Sequence, residues 1–173
     1  MRIVDCTESS HADAILEILN ESILNSTALY DYEPRTRHSM RDWFRAKAAG
    51  RFPVIGAADE RGKLLGFASY GTFRAWPAYK YSVEHSVYVH QEHRGQGVGL
   101  ALLHRLIEAA RQQQYHVMVG GIDVTNVASI ALHAKAGFTH SGTIREAGFK
   151  FGRWLDLGFY QLVLATPQNP VDG

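Results

Sequence analysis

The sequence predicts a single mixed α/β (α+β) domain, with a partly antiparallel central sheet flanked by helices. Three observations carry this expectation. Apolar residues follow the order strand, helices, hairpin, strand, helix, strand, helix, strands along the chain. A glycine-rich turn, Arg94 to Gly99, joins one strand directly to an amphipathic helix. The 173 residues, 46% of them apolar, suit one sizeable core.

Taken in order, Ile3 to Cys6 reads as a short opening strand. Ser10-x-x-Asp13 has the form of a capping box, followed by Ile15, Ile18, Leu19 and Ile23 at helical spacing. Asn25 to Thr36 lacks a clear period, and Pro34 marks a loop. A second capping pattern, Ser39-x-x-Asp42, opens a helix that Gly50 stops. Pro53 to Ala58 and Leu64 to Tyr70 form a hairpin around Asp59–Lys63. Thr72 to Tyr81 is an aromatic loop in which Pro77 excludes helix.

Glu84 to His90 is the next strand, and the helix after the glycine turn carries Val98, Leu102, Leu106 and Ile107. His116 to Ile122 is a strand, Asn126 to Ala136 a short helix stopped by Gly137, and Gly142 to Glu146 and Trp154 to Leu164 close the sheet. Residues 1–166 make one domain, with 167–173 a frayed tail.

Composition excludes several classes of function. Lysine plus arginine number 18 against 17 acids, a formal charge of +1, without the clustered base a nucleic-acid footprint needs. Cys6 is the one cysteine, so no internal disulfide forms, and it reads as a small buried hydrophobe. Met1 to Asp5 lacks a signal peptide's apolar run, and no stretch approaches the roughly eighteen apolar residues of a membrane span. The expectation is a soluble cytoplasmic protein without membrane or nucleic-acid partners.

The segment Val87-Tyr88-Val89-His90-Gln91-Glu92-His93-Arg94-Gly95-Gln96-Gly97-Val98-Gly99-Leu100 carries the most information. Glycines let successive backbone N–H groups converge, and a helix start adds free donors and a positive dipole end, making an anion cradle suited to a diphosphate. A nucleotide P-loop would need Lys-Ser/Thr after the last glycine, where Leu100-Ala101 stands; a dinucleotide fingerprint would need a longer final step than Gly97-x-Gly99. A tight turn that binds nothing is the plainer alternative.

Arg94-x-x-Gly97-x-Gly99 resembles the diphosphate signature of the GNAT acetyltransferases. Asn126-Val127-Ala128-Ser129-Ile130-Ala131-Leu132-His133-Ala134-Lys135-Ala136-Gly137-Phe138 resembles that superfamily's second element. Thr72-Phe73-Arg74-Ala75-Trp76-Pro77-Ala78-Tyr79, Val83 to Val89, and Ala147 to Leu162 are similar to the phosphinothricin and methionine sulfoximine acetyltransferases, with similarity over roughly residues 2 to 165. His133 stands where the wider superfamily usually has tyrosine, and the Thr72–Lys80 loop mixes features of the two branches.

The resemblance implies a mixed, mostly antiparallel sheet splayed between two parallel strands, here Glu84–His90 and His116–Ile122, with acetyl-CoA as co-substrate between them and no metal. It implies cofactor contacts at Val87, Tyr88, Val89, Arg94, Gly95, Gln96, Gly97, Val98, Gly99, Leu100, Asn126 and Ser129. Asn126 serves equally as an N-cap. Acetyl transfer to an ammonium needs a proton acceptor, a stabilised oxyanion and a leaving thiolate. Glu84 is the candidate base, a backbone N–H near Val87 the oxyanion donor, and His133 the candidate proton source for sulfur or a packed side chain.

Arg74, Ala75, Trp76, Glu84, His85 and Ser86 are the candidate substrate contacts, with Arg74 suited to gripping an acid group bidentately. His85, next to Glu84 on a strand, must point to the opposite face. Lys150 and Arg153 are secondary candidates, with Arg153–Asp156 as an alternative structural ion pair. The function implied is N-acetylation of a small amino-acid-like amine, with detoxification of glutamine-synthetase inhibitors, by an enzyme of a commonly homodimeric group. Peptide or protein acetylation and a non-catalytic acyl-CoA sensor are the alternatives.

Overall fold

The computed structural model describes residues 1–172 and joins them into one seven-stranded sheet with four α-helices. Its elements are β1 Arg2–Asp5, α1 Glu8–Asn25, α2 Arg37–Ala49, β2 Val54–Ala58, β3 Leu64–Thr72, β4 Ser82–Val89, α3 Val98–Gln112, β5 Val117–Asp123, α4 Val127–Lys135, β6 Thr139–Lys150 and β7 Arg153–Val163. The strands lie in the order β1-β2-β3-β4-β5-β7-β6. Every neighbouring pair is antiparallel except β4–β5.

Both early helices start sooner than their serines suggest. Thr7 caps α1, its hydroxyl accepting from the Ser10 N–H, and Thr36 caps α2 with Ser39 completing a reciprocal box. A threonine three residues upstream reaches the same free N–H, which turns each serine into the third helical residue rather than the cap. The aspartates bind elsewhere: Asp13 accepts from Arg37 at 2.6 Å and Asp42 from Arg45 at 3.2 Å. Pro77 does not exclude helix altogether; it occupies the first position of a single 3₁₀ turn, Pro77–Tyr79, where its missing N–H costs nothing.

Strand alternation sends β2 and β3 side chains to two faces, each with its own core. Leu102, Leu103 and Leu106 of α3 pack with Ile55, Ala68, Val83 and Met118 on one. Ile15, Leu19 and Met40 of α1 and α2 pack with Val54 and Phe67 on the other. Covering on both sides explains why Leu64 to Tyr70 is buried without interruption. Each fully buried large aliphatic contributes about 1.5–3 kcal/mol relative to exposure. Residues 164–172 have no regular structure, yet the Val171 N–H donates to the Tyr81 hydroxyl at 3.2 Å, so the tail is tied at that point. Gly173 lies outside the described residues.

Cys6 is half-buried under β1, and burial first, then Asp5, pushes its thiol up to about 12, which leaves it inert. Among the described residues no helix is long and apolar enough to cross a membrane.

Candidate active site

The site begins where the sheet comes apart. Parallel pairing of β4 and β5 covers only Ser82–Val117, Val83–Met118 and Glu84–Val119, after which the strands diverge. β4 stays paired to β3 as far as Val89–Gly66, so one of its edges is used and the other is released. The His90 N–H donates to Leu65 O on β3 at 2.9 Å. Alternation then aims the N–H and C=O groups of Val87 and Val89 at the gap.

A cavity of about 300 Å³ fills this gap and runs through the sheet. Glu84, Ser86, Tyr30 and Leu157 line it from the α1 side, and His85, Val87, Ser129 and His133 from the α3–α4 side. Two consecutive glycines of β5 make the passage. A Cβ on Gly121 would stand 3.5 Å from Glu84 Oε1, and one on Gly120 would come within 2.8 Å of His85 Cε1. Gly120 thus leaves room for the His85 ring, while a side chain on Gly121 would crowd Leu157 Cδ1 at 3.3 Å and touch Glu84. A glycine doublet inside a strand signals close approach and could have been read from the sequence.

Glu84 is the acid of the α1-side mouth. It reaches solvent through the cavity while protein crowds its carboxyl, and this desolvation raises its pKa above the ordinary carboxylate range, with the Arg74 guanidinium pulling partly back. On the other face, His85 and His133 are 7% and 5% exposed and meet Nε2 to Nε2 at 2.8 Å. His85 is therefore bonded to α4 rather than turned toward the Glu84 face.

The glycine turn ends in α3 without a side-chain cap. Gly95 and Gly97 have φ of 75° and 81°, the left-handed region where a side chain is strained, and nothing lies within 4 Å of the Cβ either would carry. The Ala101 N–H bonds Gly97 O. The N–H groups of Val98, Gly99 and Leu100 before it have no intrahelical acceptor and face the open turn. This arrangement fits a diphosphate.

The Arg94 side chain makes contacts within the protein. Its Nε donates to Val89 O at 3.2 Å and its guanidinium binds Glu21 of α1, so the side chain fastens the turn to the fold. Gln96 donates to Glu92 O at 3.1 Å within the turn. Asn126 is the N-cap of α4, its Oδ1 accepting from the Ser129 N–H at 3.1 Å, and it also lines the cavity. Ser129 lines it too, and Tyr88 borders it from the α1 face, stacked against Phe67.

The substrate-side expectations divide. Glu84 and Ser86 line the cavity, whereas Arg74, Ala75 and Trp76 line a separate hollow of about 170 Å³ beside Tyr115. Arg74 stacks on Phe73 with its charge still felt at Glu84, and Trp76 is 69% exposed. Lys150 is not a substrate residue. It is buried, and its ammonium donates to Ile23 O, Ser26 O and Leu29 O at 2.6, 3.0 and 2.6 Å, tying down the end of α1 and the loop after it. Arg153 pairs with Asp123 at 3.8 Å rather than with Asp156, which accepts from the Glu146 N–H. Sequence reasoning missed Thr27, Ala28 and Leu29, which with Tyr30 cover the α1-side mouth.

A released strand edge thus lies above an uncapped glycine-start helix, with a carboxyl opposite it through the sheet. The acetyltransferase (GNAT) family pattern matches residues 13–138, and the chain belongs to that family. It is 47% identical over 150 residues, 87% of each chain, to the L-methionine sulfoximine/L-methionine sulfone acetyltransferase of Pseudomonas paraeruginosa. It is 34% identical to the phosphinothricin N-acetyltransferase of Streptomyces viridochromogenes, over 98% of this chain and 94% of that one. The crystal structure of a phosphinothricin acetyltransferase from Sinorhizobium meliloti in complex with acetyl-CoA superposes with a TM-score of 0.93 at 35% identity, covering 98% of this chain and 91% of that one.

Proposed function

We propose that this chain transfers acetyl from acetyl-CoA to the primary amine of a small amino-acid-like substrate of the methionine sulfoximine, methionine sulfone or phosphinothricin kind, and so detoxifies such compounds. The observation that carries the reading is the gap through the sheet, with Glu84 at one mouth and the glycine cradle and released β4 edge at the other. Relatives with these names, matched over 87% and 94% of their own lengths, support it. The diphosphate sits on the N–H groups of the Gly95–Leu100 turn, and the pantetheine arm continues the ladder along Val87 and Val89. The amine enters from the Tyr30 side, where Glu84 takes its proton directly or through water. The Val87 N–H faces the oxyanion as the amine adds. Arg74, whose charge reaches Glu84, takes the substrate's acid group.

Thiol release from acetyl-CoA, measured with methionine sulfoximine, methionine sulfone, phosphinothricin, ordinary amino acids and a short peptide, tests this. The expected result is release with one or more of the three named compounds and none with the peptide. Preference for the peptide, or no amine-dependent release, overturns it. The same reading includes a cytoplasmic homodimer, for which exposed Phe149, Phe151 and Trp154 at the β6–β7 turn offer apolar surface. Sedimentation at micromolar concentration would show a monomer if that part is wrong.

A further inference from the structure

The contact between His85 and His133 has a proton count that two neutral rings do not satisfy. His85 Nδ1 lies 2.8 Å from Val119 O, and His133 Nδ1 lies 2.7 Å from Ser129 O. A carbonyl oxygen only accepts, so each Nδ1 carries a hydrogen. In a neutral imidazole the other nitrogen is then bare, yet the two Nε2 atoms face each other at 2.8 Å. Two lone pairs do not approach that closely without a hydrogen between them. Turning either ring by half a revolution sets a carbon against a carbonyl oxygen and loses its bond.

We infer that His85 and His133 hold one proton between their Nε2 atoms and form a single buried monocation at the thioester side of the gap. The remaining surroundings agree. Gly120 leaves the pair its space, since a Cβ there would lie 2.8 Å from His85 Cε1 and 3.5 Å from His133 Nε2. On β4 the neighbours Glu84 and Ser86 point to the opposite face, from β3 the Tyr70 hydroxyl is turned to Gln113, and the Phe138 ring packs on both imidazoles. Among the described residues the only charge acting on His85 is His133, and no acid acts on either ring. Burial opposes charge on both rings, holding His85 down to about 3 with repulsion from His133 second, and lowering His133 as well, so the close Nε2–Nε2 contact has to hold its proton against that cost. The first proton is held by a charge-assisted bond in a low dielectric, so the pair titrates as one unit.

The role of this charge rests on the acetyl-transfer reading; its existence does not. When the C–S bond breaks, its electron pair goes to sulfur, the shared proton moves to sulfur to give the thiol, and the neutral pair recovers a proton from water. His133 lines the gap and delivers the proton, while His85 is a positioning residue that fixes the ring and co-holds the charge.

Long-range proton–nitrogen correlation spectra of the ligand-free protein, labelled at histidine with nitrogen-15, count the protons at pH 7. Three on the pair's four ring nitrogens is the expected result, and two overturns the inference. Kinetics of His85→Gln test the role: kcat should fall roughly tenfold or more with KM for acetyl-CoA unchanged, and the alkaline limb of kcat should vanish. An unaltered kcat and pH profile would overturn the catalytic role. Should that variant not fold, the spectra of the natural protein still decide the charge, and they do so whether or not any amine is acetylated.

Discussion

At the scale of single residues, the chemistry rests on where each polar atom is allowed to be wet. Glu84 has a carboxyl raised by desolvation and only partly restored by Arg74, so its basic form is lost at a higher pH than for a free glutamate. The rate should therefore fall on the acid side, with a midpoint above the ordinary carboxylate range. Glu84→Gln should lower kcat/KM by roughly 10²–10⁴-fold and abolish that limb, while calorimetry finds acetyl-CoA binding intact. Arg74→Ala should raise KM for an acid-bearing substrate about tenfold, the scale of one charge-assisted bond in a wet setting, with kcat held. An unchanged KM would return Arg74 to its hollow beside Phe73. The glycine turn was legible from a local motif and Glu84 from the resemblance around it, with strand alternation setting His85 on the other face. The His85–His133 bond joins residues 48 apart in sequence, and no local period announces it. The same holds for Lys150, whose carbonyl partners lie more than 120 residues upstream.

At the scale of elements, periodicity gave the strands and helices their order, because each helix covers one face of a sheet that is apolar on both. Boundaries suffered where two capping residues competed, as Thr7 and Thr36 did with Ser10 and Ser39. β6 runs from Thr139 to Lys150, longer than Gly142 to Glu146, because irregular register at His140/Gly142 and Ile144/Gly148 hides its alternation. Two elements make testable promises. The turn before α3 needs glycine for its backbone, so Gly97→Ala should cost about 1–2 kcal/mol of stability from the left-handed φ and weaken acetyl-CoA binding measurably by calorimetry. The loop after α1 needs the Lys150 ammonium. Lys150→Met should leave Ile23, Ser26 and Leu29 carbonyls without their donor and lower stability by roughly 1–3 kcal/mol. Because that loop covers the Glu84 mouth alone, KM for the amine should rise while acetyl-CoA affinity stays; a matching loss of both would mean the loop serves the whole gap.

At the scale of the whole molecule, two groups of buried titratable side chains set opposite slopes on stability. Lys47 donates to Tyr70 O at 2.7 Å and packs near Trp43 and Phe52, and its burial lowers its pKa from 10.5 to about 8. Between about pH 8 and 10.5 the unfolded chain therefore keeps a proton there that the folded chain has released. The unfolded state binds more protons, so stability rises with pH across that window. Tyr70 and Tyr88 work in the other direction. Burial raises both above the ordinary 10.0, Tyr88 to about 12, so above pH 10 the unfolded chain loses phenolic protons that the folded chain retains, and stability falls. Unfolding midpoints in denaturant should climb from pH 8 toward pH 10 and drop beyond it. Lys47→Met removes the first slope and leaves the second, which separates the two causes in one pair of titrations. A midpoint that stays level from pH 8 to 10 in the natural protein would mean that the Lys47 ammonium keeps its charge inside the fold, stabilised by the Trp43 and Phe52 rings against the cost of burial.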